Sequence, residues 1–355
     1  MKYPSIISFE SVAKSLDQFD SIIDVRSPAE FKIDQIPGAI NCPVLDDEER
    51  IRVGTLYKQV NAFEAKKLGA ALVAKNIGHH LALQFQGMSK DWRPLIYCWR
   101  GGNRSGSMAH ILAKIGWPVA QLEGGYKAYR HYVNLNLPEL AQATRYIVLC
   151  GPTGSGKSRL LEALAQHDAQ VLDLEKLARH RGSVLGKLPS TSQPSQKHFE
   201  TQIWQQLAAM DISRPIFIEA ESKKVGDLRV PEALIERMRA SECVTLNLSL
   251  AQRVAILSAD YPHFIAQSEQ LIAQLQCLTP LHGKEQIGRW CELARTGHWQ
   301  ELVHALLDKH YDPTYQRAIE RNFPHSHRAK VITFEGDANQ YFPQLAQQLI
   351  ATYET

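Results

Sequence analysis

The stretch Arg145-Tyr-Ile-Val-Leu-Cys-Gly-Pro-Thr-Gly-Ser-Gly-Lys-Ser158 decides the fold of the second half of this chain. Its apolar first part predicts a β-strand, its second part matches the pattern G-x-x-x-x-G-K-S/T completely, and Arg159–Gln166 continues as a predicted helix. Glycines allow successive backbone N–H groups to turn around a phosphate, and the start of the helix adds a partial positive charge. The stretch therefore predicts a phosphate-binding loop. We expect the phosphate contacts to come from Gly151, Gly154, Ser155, Gly156, Lys157 and Ser158.

Acidic residues stand at the carboxyl ends of two other predicted strands in this half. Asp173 closes one strand and Glu175 follows it, while Glu219 ends the apolar run Ile216-Phe-Ile-Glu219 and Glu221 comes shortly after. Asp173, Glu219 and Glu221 are candidates for orienting Mg²⁺ or acting as a base, as is Glu175. The alternative for each is a solvated acid at a strand end. A phosphate-binding loop does not by itself show which phosphate compound it binds. The sequence contains no N-K-x-D pattern, which would indicate recognition of a guanine base.

Basic residues cluster in two short segments of the same half. Arg179 and Arg181 belong to Arg179-His-Arg-Gly-Ser183, and Lys223 and Lys224 are adjacent. These four side chains are candidates for contacts with an anionic substrate or an RNA backbone. An ordinary solvated surface is the alternative interpretation.

The rest of the second half alternates strands with helices, which predicts an α/β fold with a parallel sheet. We expect the second domain to span residues 145–355, with a mostly helical insertion at about 249–321. The strands predicted after the phosphate loop are Val171–Asp173, Pro215–Glu219, Cys243–Leu248 and Lys330–Phe334.

The first half contains a reactive-thiol pattern. The predicted strand Leu95-Ile-Tyr-Cys98 leads into Trp99-Arg-Gly-Gly-Asn-Arg-Ser105, after which a helix is predicted. A helix N-terminus favours a thiolate, as do Arg100 and Arg104, so Cys98 and these two arginines are the candidate catalytic residues. The other cysteines lack such surroundings, and we expect them to be structural. They are Cys42, Cys150, Cys243, Cys277 and Cys291.

Bulk properties limit the class of protein. A length of 355 residues and 44% hydrophobic residues suggest two globular domains, which we place at residues 1–136 and 145–355, with Leu137–Thr144 as the linker. Six dispersed cysteines without a C-x-x-C pair argue against a disulfide framework and a structural zinc site. We predict no metal centre and no tightly bound cofactor. The sequence shows neither a signal peptide nor a membrane span, so we expect a cytoplasmic protein without a membrane partner. A net charge of +3 is too small to indicate a nucleic-acid partner by itself. Any surface that binds nucleic acid must therefore be a local cluster of basic residues.

Four segments of the first half resemble a rhodanese domain, a parallel-sheet α/β fold. They are Asp24-Val-Arg-Ser-Pro-Ala-Glu-Phe31, Ile36-Pro-Gly-Ala-Ile-Asn41, Cys98-Trp-Arg-Gly-Gly-Asn-Arg-Ser105 and Glu123-Gly-Gly-Tyr126. In such a domain we expect Asp24 and Arg26 to form a structural ion pair. Two residues depart from the pattern. Gln35 replaces the usual His, and Asn103 replaces the expected Met beside the cysteine loop, so the preference for a donor could differ.

A rhodanese-like domain joined to a phosphate-loop α/β domain resembles the tRNA 2-selenouridine synthase family. The second half supports this resemblance with Asp173-Leu-Glu175, His180-Arg-Gly-Ser183, Phe217-Ile-Glu-Ala-Glu-Ser222 and Lys224-Val-Gly226. The resemblance implies modification of 2-thiouridine at the wobble position of tRNAs for lysine, glutamate and glutamine. It implies geranyl diphosphate and selenophosphate as substrates, with Mg²⁺ as an optional ion and an enzyme that supplies selenophosphate as a further partner. Cys98 would handle selenium, and Gly151–Ser158 would hold a diphosphate.

Three other functions fit parts of the pattern. Cys98 and Arg104 have the C-x₅-R spacing of thiol phosphatases, although Tyr97 replaces the expected His and no general acid is evident nearby. A kinase or ATPase with a regulatory rhodanese domain would also use the phosphate loop. An RNA-binding module is the non-enzymatic alternative, but it leaves both the thiol and the phosphate loop without a role.

Overall fold

The computed structural model describes residues 3–183, 185–188, 191–260, 268–334 and 338–354. The chain divides into two compact units, Met1–Asn136 and Leu137–Thr355. Each unit contains a five-stranded, entirely parallel sheet, as the alternation of strands and helices predicts.

The sheet of the first unit has the strand order β1-β5-β4-β2-β3. Its strands are β1 Ser5–Ile7, β2 Ser21–Asp24, β3 Ala39–Asn41, β4 Pro94–Tyr97 and β5 Ala120–Leu122. The helices that begin in this unit are α1 Phe9–Val12, α2 Pro28–Ile33, α3 Asp47–Gln59, α4 Ala62–His80, α5 Asn103–Ile115 and α6 Gly125–Ala143. A 3₁₀ turn at Leu16–Gln18 and a π turn at Leu81–Phe85 complete it. Strand β4 is buried along its whole length. The loop that begins at the next residue, Cys98, therefore starts inside the core of the first unit.

Residues Leu137–Thr144, the predicted linker, are mostly helical, because α6 continues to Ala143 and contains Pro138. Proline inside a helix removes a backbone donor and is uncommon, so Pro138 gives no sequence signal that the helix continues. Buried apolar residues nevertheless recur at every fourth position along α6, which is the spacing of one helical face. They are Tyr129, Val133, Leu137 and Ala141.

Asp24 and Arg26 form a fully buried ion pair, which confirms their predicted structural role. The Arg26 guanidinium donates to Asp24 Oδ2 over 2.6 Å and to the Asp34 carbonyl over 2.6 Å, and it lies 4.0 Å from the centre of the Tyr126 ring. Loss of one member would leave an unpaired buried charge and cost about 3–5 kcal/mol. An inactive Asp24 variant would therefore say little about chemistry.

The sheet of the second unit has the strand order β12-β11-β6-β8-β7. Its strands are β6 Tyr146–Cys150, β7 Gln170–Leu172, β8 Ile216–Glu219, β11 Glu242–Leu246 and β12 Lys330–Ile332, and the hairpin β9 Lys224–Val225 and β10 Leu228–Arg229 stands apart. Every strand predicted for this half is present, with small differences at the ends. The helices that flank the sheet are α7 Lys157–Gln166, α8 Leu174–Ala178, α9 Gln196–Ala209, α10 Glu232–Arg239 and α16 Ala338–Tyr353.

Between β11 and β12 the described chain is mainly helical. It forms α11 Leu250–Asp260, α12 Ser268–Gln276, α13 Thr279–Arg295, α14 Trp299–Leu306 and α15 Asp312–Asn322, with a π turn at Leu307–Tyr311 and a 3₁₀ turn at Pro324–Arg328. We call this segment the helical segment. Its buried core centres on Trp290, Leu275 and Leu302. Residues 261–267, within the predicted insertion, lie outside the described residues. In the part of the chain that the structure describes, no helix is long and apolar enough to cross a membrane.

Candidate active site

Cys98 lies directly after β4, in the loop that leads into α5, and only 3% of the residue is exposed. Gly102 precedes α5 with φ of +79°, a left-handed conformation that suits glycine. The structure therefore places the thiol between a strand end and a helix start, as the sequence predicts.

Two polar side chains form a hydrogen-bonded chain to the sulfur. Gln121 of β5 donates from Nε2 to Ser105 Oγ over 3.1 Å, and the Ser105 hydroxyl donates to Cys98 Sγ over 3.3 Å. Gln121 Nε2 also donates to the Gly102 carbonyl over 3.2 Å, which fixes the turn before α5. Sequence reasoning did not identify Gln121, because it lies on a different strand.

The backbone after β5 packs directly against the cysteine loop. The N–H of Tyr126 donates to the Cys98 carbonyl over 2.8 Å, and the N–H of Lys127 donates to the Trp99 carbonyl over 3.0 Å. Any side chain at Gly125, whose φ is +56°, would collide with the Cys98 carbonyl. The rings of Trp99 and Tyr126 stack at 5.4 Å.

The two predicted arginines have different surroundings. Arg104 forms a two-pronged ion pair with Glu30, with Nη1 2.7 Å from Oε2 and Nη2 3.3 Å from Oε1. Burial opposes ionisation of Glu30, but the hydrogen bonds and charge of Arg104 keep the pKa of that carboxyl below its usual value. Arg100 and Asn103 are exposed. The guanidinium of Arg104 is thus paired with the Glu30 carboxylate. The exposed Arg100 is the cation that is more accessible to an anionic ligand.

The phosphate loop of the second unit has the predicted strand, loop and helix context. It connects β6 to α7, and its three glycines all have positive φ values, of +149° at Gly151, +80° at Gly154 and +83° at Gly156. A β-carbon at these positions would collide with the Leu246 carbonyl, the Leu257 side chain and the Phe342 ring, respectively. These glycines therefore allow three later parts of the chain to pack against the loop.

Side chains from the helical segment also contact the phosphate loop. Tyr315 of α15 accepts a hydrogen bond at its hydroxyl from the Gly151 N–H over 2.6 Å, and Lys157 Nζ lies 5.8 Å from the centre of its ring. Lys157 Nζ donates to the Gly151 carbonyl over 2.7 Å. Arg253 of α11 donates to the Thr153 carbonyl over 2.8 Å and is itself paired with Asp312. None of Tyr315, Arg253 and Asp312 belongs to a sequence motif.

Three carboxylates gather at the ends of the strands beside this loop. Glu175, Glu219 and Glu221 each present an oxygen within 4.8 Å of the others. Asp173 instead caps α8, where its carboxylate accepts from the Lys176 N–H over 2.8 Å. The structure therefore brings together three of the four predicted acids, whereas Asp173 serves as the N-cap of α8.

Burial and mutual repulsion keep protons on this carboxylate cluster. Burial, followed by the charge of Glu219, raises the pKa of Glu221 to about 8. The pKa values of Glu175 and Glu219 are also raised, by burial first and by a neighbouring carboxylate second. Glu219 Oε1 has no hydrogen-bond partner among the described residues. A divalent cation such as Mg²⁺, which prefers oxygen ligands, fits this donor set because it would neutralise the repulsion.

The two predicted basic segments lie next to each other. Gln193 joins them, since its Nε2 donates to the carbonyls of Ala178 and Val225 over 3.1 and 3.0 Å. Arg179, Lys223 and Lys224 are exposed, and Arg181 is half-buried. Lys223 is paired with the exposed Glu232 over 2.8 Å. The structure thus forms one local basic surface from two separate stretches of sequence.

Comparison with known proteins agrees with both halves. A family model described as "Rhodanese-like domain" matches residues 8–132, and one described as "tRNA 2-selenouridine synthase AAA domain" matches residues 144–282. The fold class predicted from the sequence, a rhodanese-like domain followed by a phosphate-loop α/β domain, is confirmed.

Three similar proteins carry the name "tRNA 2-selenouridine synthase". The chain is 37% identical to the protein of Nitrosomonas europaea over 68% of its own length and 63% of that protein, so this match spans less than two thirds of the relative. It is 30% identical to the protein of Sulfurovum sp. over 90% of its own length and 92% of that protein. It is 34% identical to the protein of Bdellovibrio bacteriovorus over 84% and 89% of the two chains. Since the last two alignments span more than four fifths of the chain at 30% identity or more, the chain belongs to the tRNA 2-selenouridine synthase family.

Proposed function

We propose that this protein is an enzyme that converts 2-thiouridine at the wobble position of tRNA into 2-selenouridine. The observation that carries the proposal is the presence, on one chain, of a held thiol and a complete phosphate loop in a sequence that aligns with 92% of a named family member. Neither feature alone would identify the reaction. Together they supply the two chemical functions that the reaction needs.

The first step is geranylation of the tRNA. The sulfur of 2-thiouridine attacks the first carbon of geranyl diphosphate, the carbon–oxygen bond breaks, diphosphate leaves with the electron pair, and the N3 proton of the base passes to solvent. Gly151–Ser158 would hold the diphosphate, with Lys157 stabilising the charge that develops on it. Mg²⁺, if used, would be held by Glu175, Glu219 and Glu221 and would offset the same charge.

The second step replaces the geranylthio group with selenium from selenophosphate: the selenium attacks C2 of the base, the carbon–sulfur bond breaks and geranylthiol leaves, and water then cleaves the selenium–phosphorus bond and releases phosphate. Alkylation makes this step easier, because the geranylthio group leaves more readily than unmodified sulfur. Cys98 would handle selenium in this step, with Arg100 attracting the anionic donor. Arg104 would act as a positioning residue, since Glu30 engages its guanidinium.

The substrates extend the proposal to partners. The tRNAs would be those for lysine, glutamate and glutamine, bound in part by Arg179, Arg181, Lys223 and Lys224. Selenophosphate is made by another enzyme, which would act immediately before this one.

The phosphatase alternative fits the structure less well. A thiol phosphatase needs the arginine of C-x₅-R to grip phosphoryl oxygens, whereas Arg104 is bound to Glu30. Release of phosphate from a generic aryl phosphate by the purified protein would favour this alternative.

The test is a mass analysis of wobble nucleosides from cells that lack the gene and from the same cells carrying it. We expect 2-selenouridine only when the gene is present and selenium is supplied. Identical 2-thiouridine derivatives in the two strains would contradict the proposal.

A further inference from the structure

An apolar cavity lies beside the phosphate loop in the second unit. Small-molecule sites are usually concave and lined mainly by apolar side chains, with a few polar groups among them. Thr153 of the loop forms part of the wall, and most of the rest comes from the helical segment. The wall residues used below are Leu257, Trp299, Leu302, Val303, Leu306 and Tyr311.

Three contacts connect this cavity to the phosphate loop. Leu257, one of the wall residues, packs against Gly154 at the place that a β-carbon would occupy. Arg253, one turn earlier on α11, is buried and donates to the Thr153 carbonyl over 2.8 Å. Tyr311 of the wall precedes α15, whose Tyr315 binds the Gly151 N–H. A ligand with its phosphates on the loop would therefore have its other end near the cavity.

The chemistry of the wall favours a hydrocarbon over a nucleobase. Leucine and valine dominate it, and its polar groups are limited to hydroxyls and one indole. Among the described wall residues there is no carboxylate, amide or cationic side chain. A base is usually selected by placed donors and acceptors, and this wall offers few of them. An apolar chain, in contrast, loses no hydrogen bonds on entering it.

The geometry points to this cavity as the site for the hydrocarbon chain of a prenyl diphosphate, with the diphosphate on Gly151–Ser158. The assignment rests on the proposed function, which requires a geranyl donor, and it adds the residues that recognise the chain. Val303 is half-buried on α14, so a larger side chain there would fill the cavity while α14 keeps its other contacts. Each methylene buried in such a cavity adds about fourfold to affinity.

Calorimetric titration of the full chain tests this assignment, with geranyl diphosphate, dimethylallyl diphosphate and inorganic pyrophosphate as the probes. The wild-type protein should bind geranyl diphosphate at least about tenfold more tightly than pyrophosphate. Val303→Trp should weaken binding of geranyl diphosphate by about tenfold or more, because the cavity is overpacked, and leave pyrophosphate binding unchanged. Dimethylallyl diphosphate, with half the chain, should be affected less.

The adjacent His304 provides the matched control, since it is exposed on the same helix and is not part of the wall. His304→Trp should leave all three affinities at the wild-type values. If Val303→Trp fails to fold, Val303→Phe makes the same comparison with a smaller ring. Equal affinities of the wild-type protein for geranyl diphosphate and pyrophosphate, or an unchanged geranyl affinity in a folded Val303 variant, would overturn the assignment.

A transfer assay separates this assignment from the reaction itself. If the binding pattern is as expected but tRNA receives no geranyl group, the proposed reaction fails and the cavity assignment stands. If Val303→Trp geranylates tRNA with the wild-type KM for geranyl diphosphate, the assignment fails and the reaction stands.

Discussion

Cys98 shows how far contiguous residues can reveal a site. The thiol, two glycines and two arginines lie in one short stretch, so the pattern was readable from the sequence. The groups that hold the sulfur were not, because Gln121 lies 16 positions from Ser105 and meets it only when β5 joins the sheet. Arg104 was placed beside the thiol, yet it pairs with Glu30, a residue 74 positions away. Sequence spacing cannot distinguish a sulfur from a distant carboxylate as the partner of an arginine.

At this scale we predict that Cys98→Ser leaves geranyl transfer largely intact and stops selenium incorporation. Geranyl transfer needs a diphosphate site and the sulfur of the tRNA, whereas selenium handling needs a soft nucleophile that a serine hydroxyl does not replace. Supplied with geranyl diphosphate and selenophosphate, the variant should accumulate geranylated 2-thiouridine, measured by mass analysis of tRNA nucleosides.

The same change at the exposed Cys277 is the matched control and should leave both steps unchanged. Full conversion to 2-selenouridine by Cys98→Ser would show that the thiol is dispensable. Loss of both steps in a folded variant would contradict the division of roles between the two loops.

At the scale of elements, strands and motif helices were predictable and tertiary partners were not. The apolar runs before the phosphate loop and before Glu219 predict strands because buried parallel strands are apolar throughout. The length of α6 is hard to predict, because Pro138 lies inside the helix while its apolar face continues to Ala141. The approach of Tyr315 to Gly151 spans 164 positions, and only the fold of the helical segment creates it.

The phosphate loop gives the prediction for this scale. Lys157→Ala should lower the rate of geranyl transfer by about 10²-fold or more, since a main electrostatic stabiliser of the leaving diphosphate is lost. Single-turnover transfer of a labelled geranyl group to tRNA measures the rate. Lys284→Ala, at an exposed lysine of the same unit, should behave like the wild-type protein. Near-normal transfer by Lys157→Ala would show that the diphosphate binds elsewhere.

For the whole molecule, a net charge of +3 hides a local basic surface. The surface could be proposed from the sequence as two separate segments, but their meeting through Gln193 could not, because no local pattern connects them. Its position beside Glu175 and Glu221, which contact the Gly182 region, is likewise a product of the fold.

Binding of tRNA should therefore depend steeply on salt. We expect the logarithm of the association constant to fall linearly with the logarithm of the salt concentration, with a slope of about −0.7 for each phosphate neutralised as in a single strand. Lys224→Ala or Arg179→Ala should each make the slope less steep by about that amount, and Lys330→Ala, an exposed lysine elsewhere, should not. Filter-binding titrations at several salt concentrations measure the slopes. A response to salt that is flat would remove tRNA as the main partner.

The packing of the phosphate loop also determines when, during translation, the loop can make its contacts. Gly151, Gly154 and Gly156 rest against Leu246, Leu257 and Phe342, so the loop acquires its neighbours in the order in which the ribosome makes them. The last of these belongs to the final helix, α16. A nascent chain that already carries the whole G-x-x-x-x-G-K-S motif thus still lacks one wall of its phosphate site until Phe342 has been synthesised.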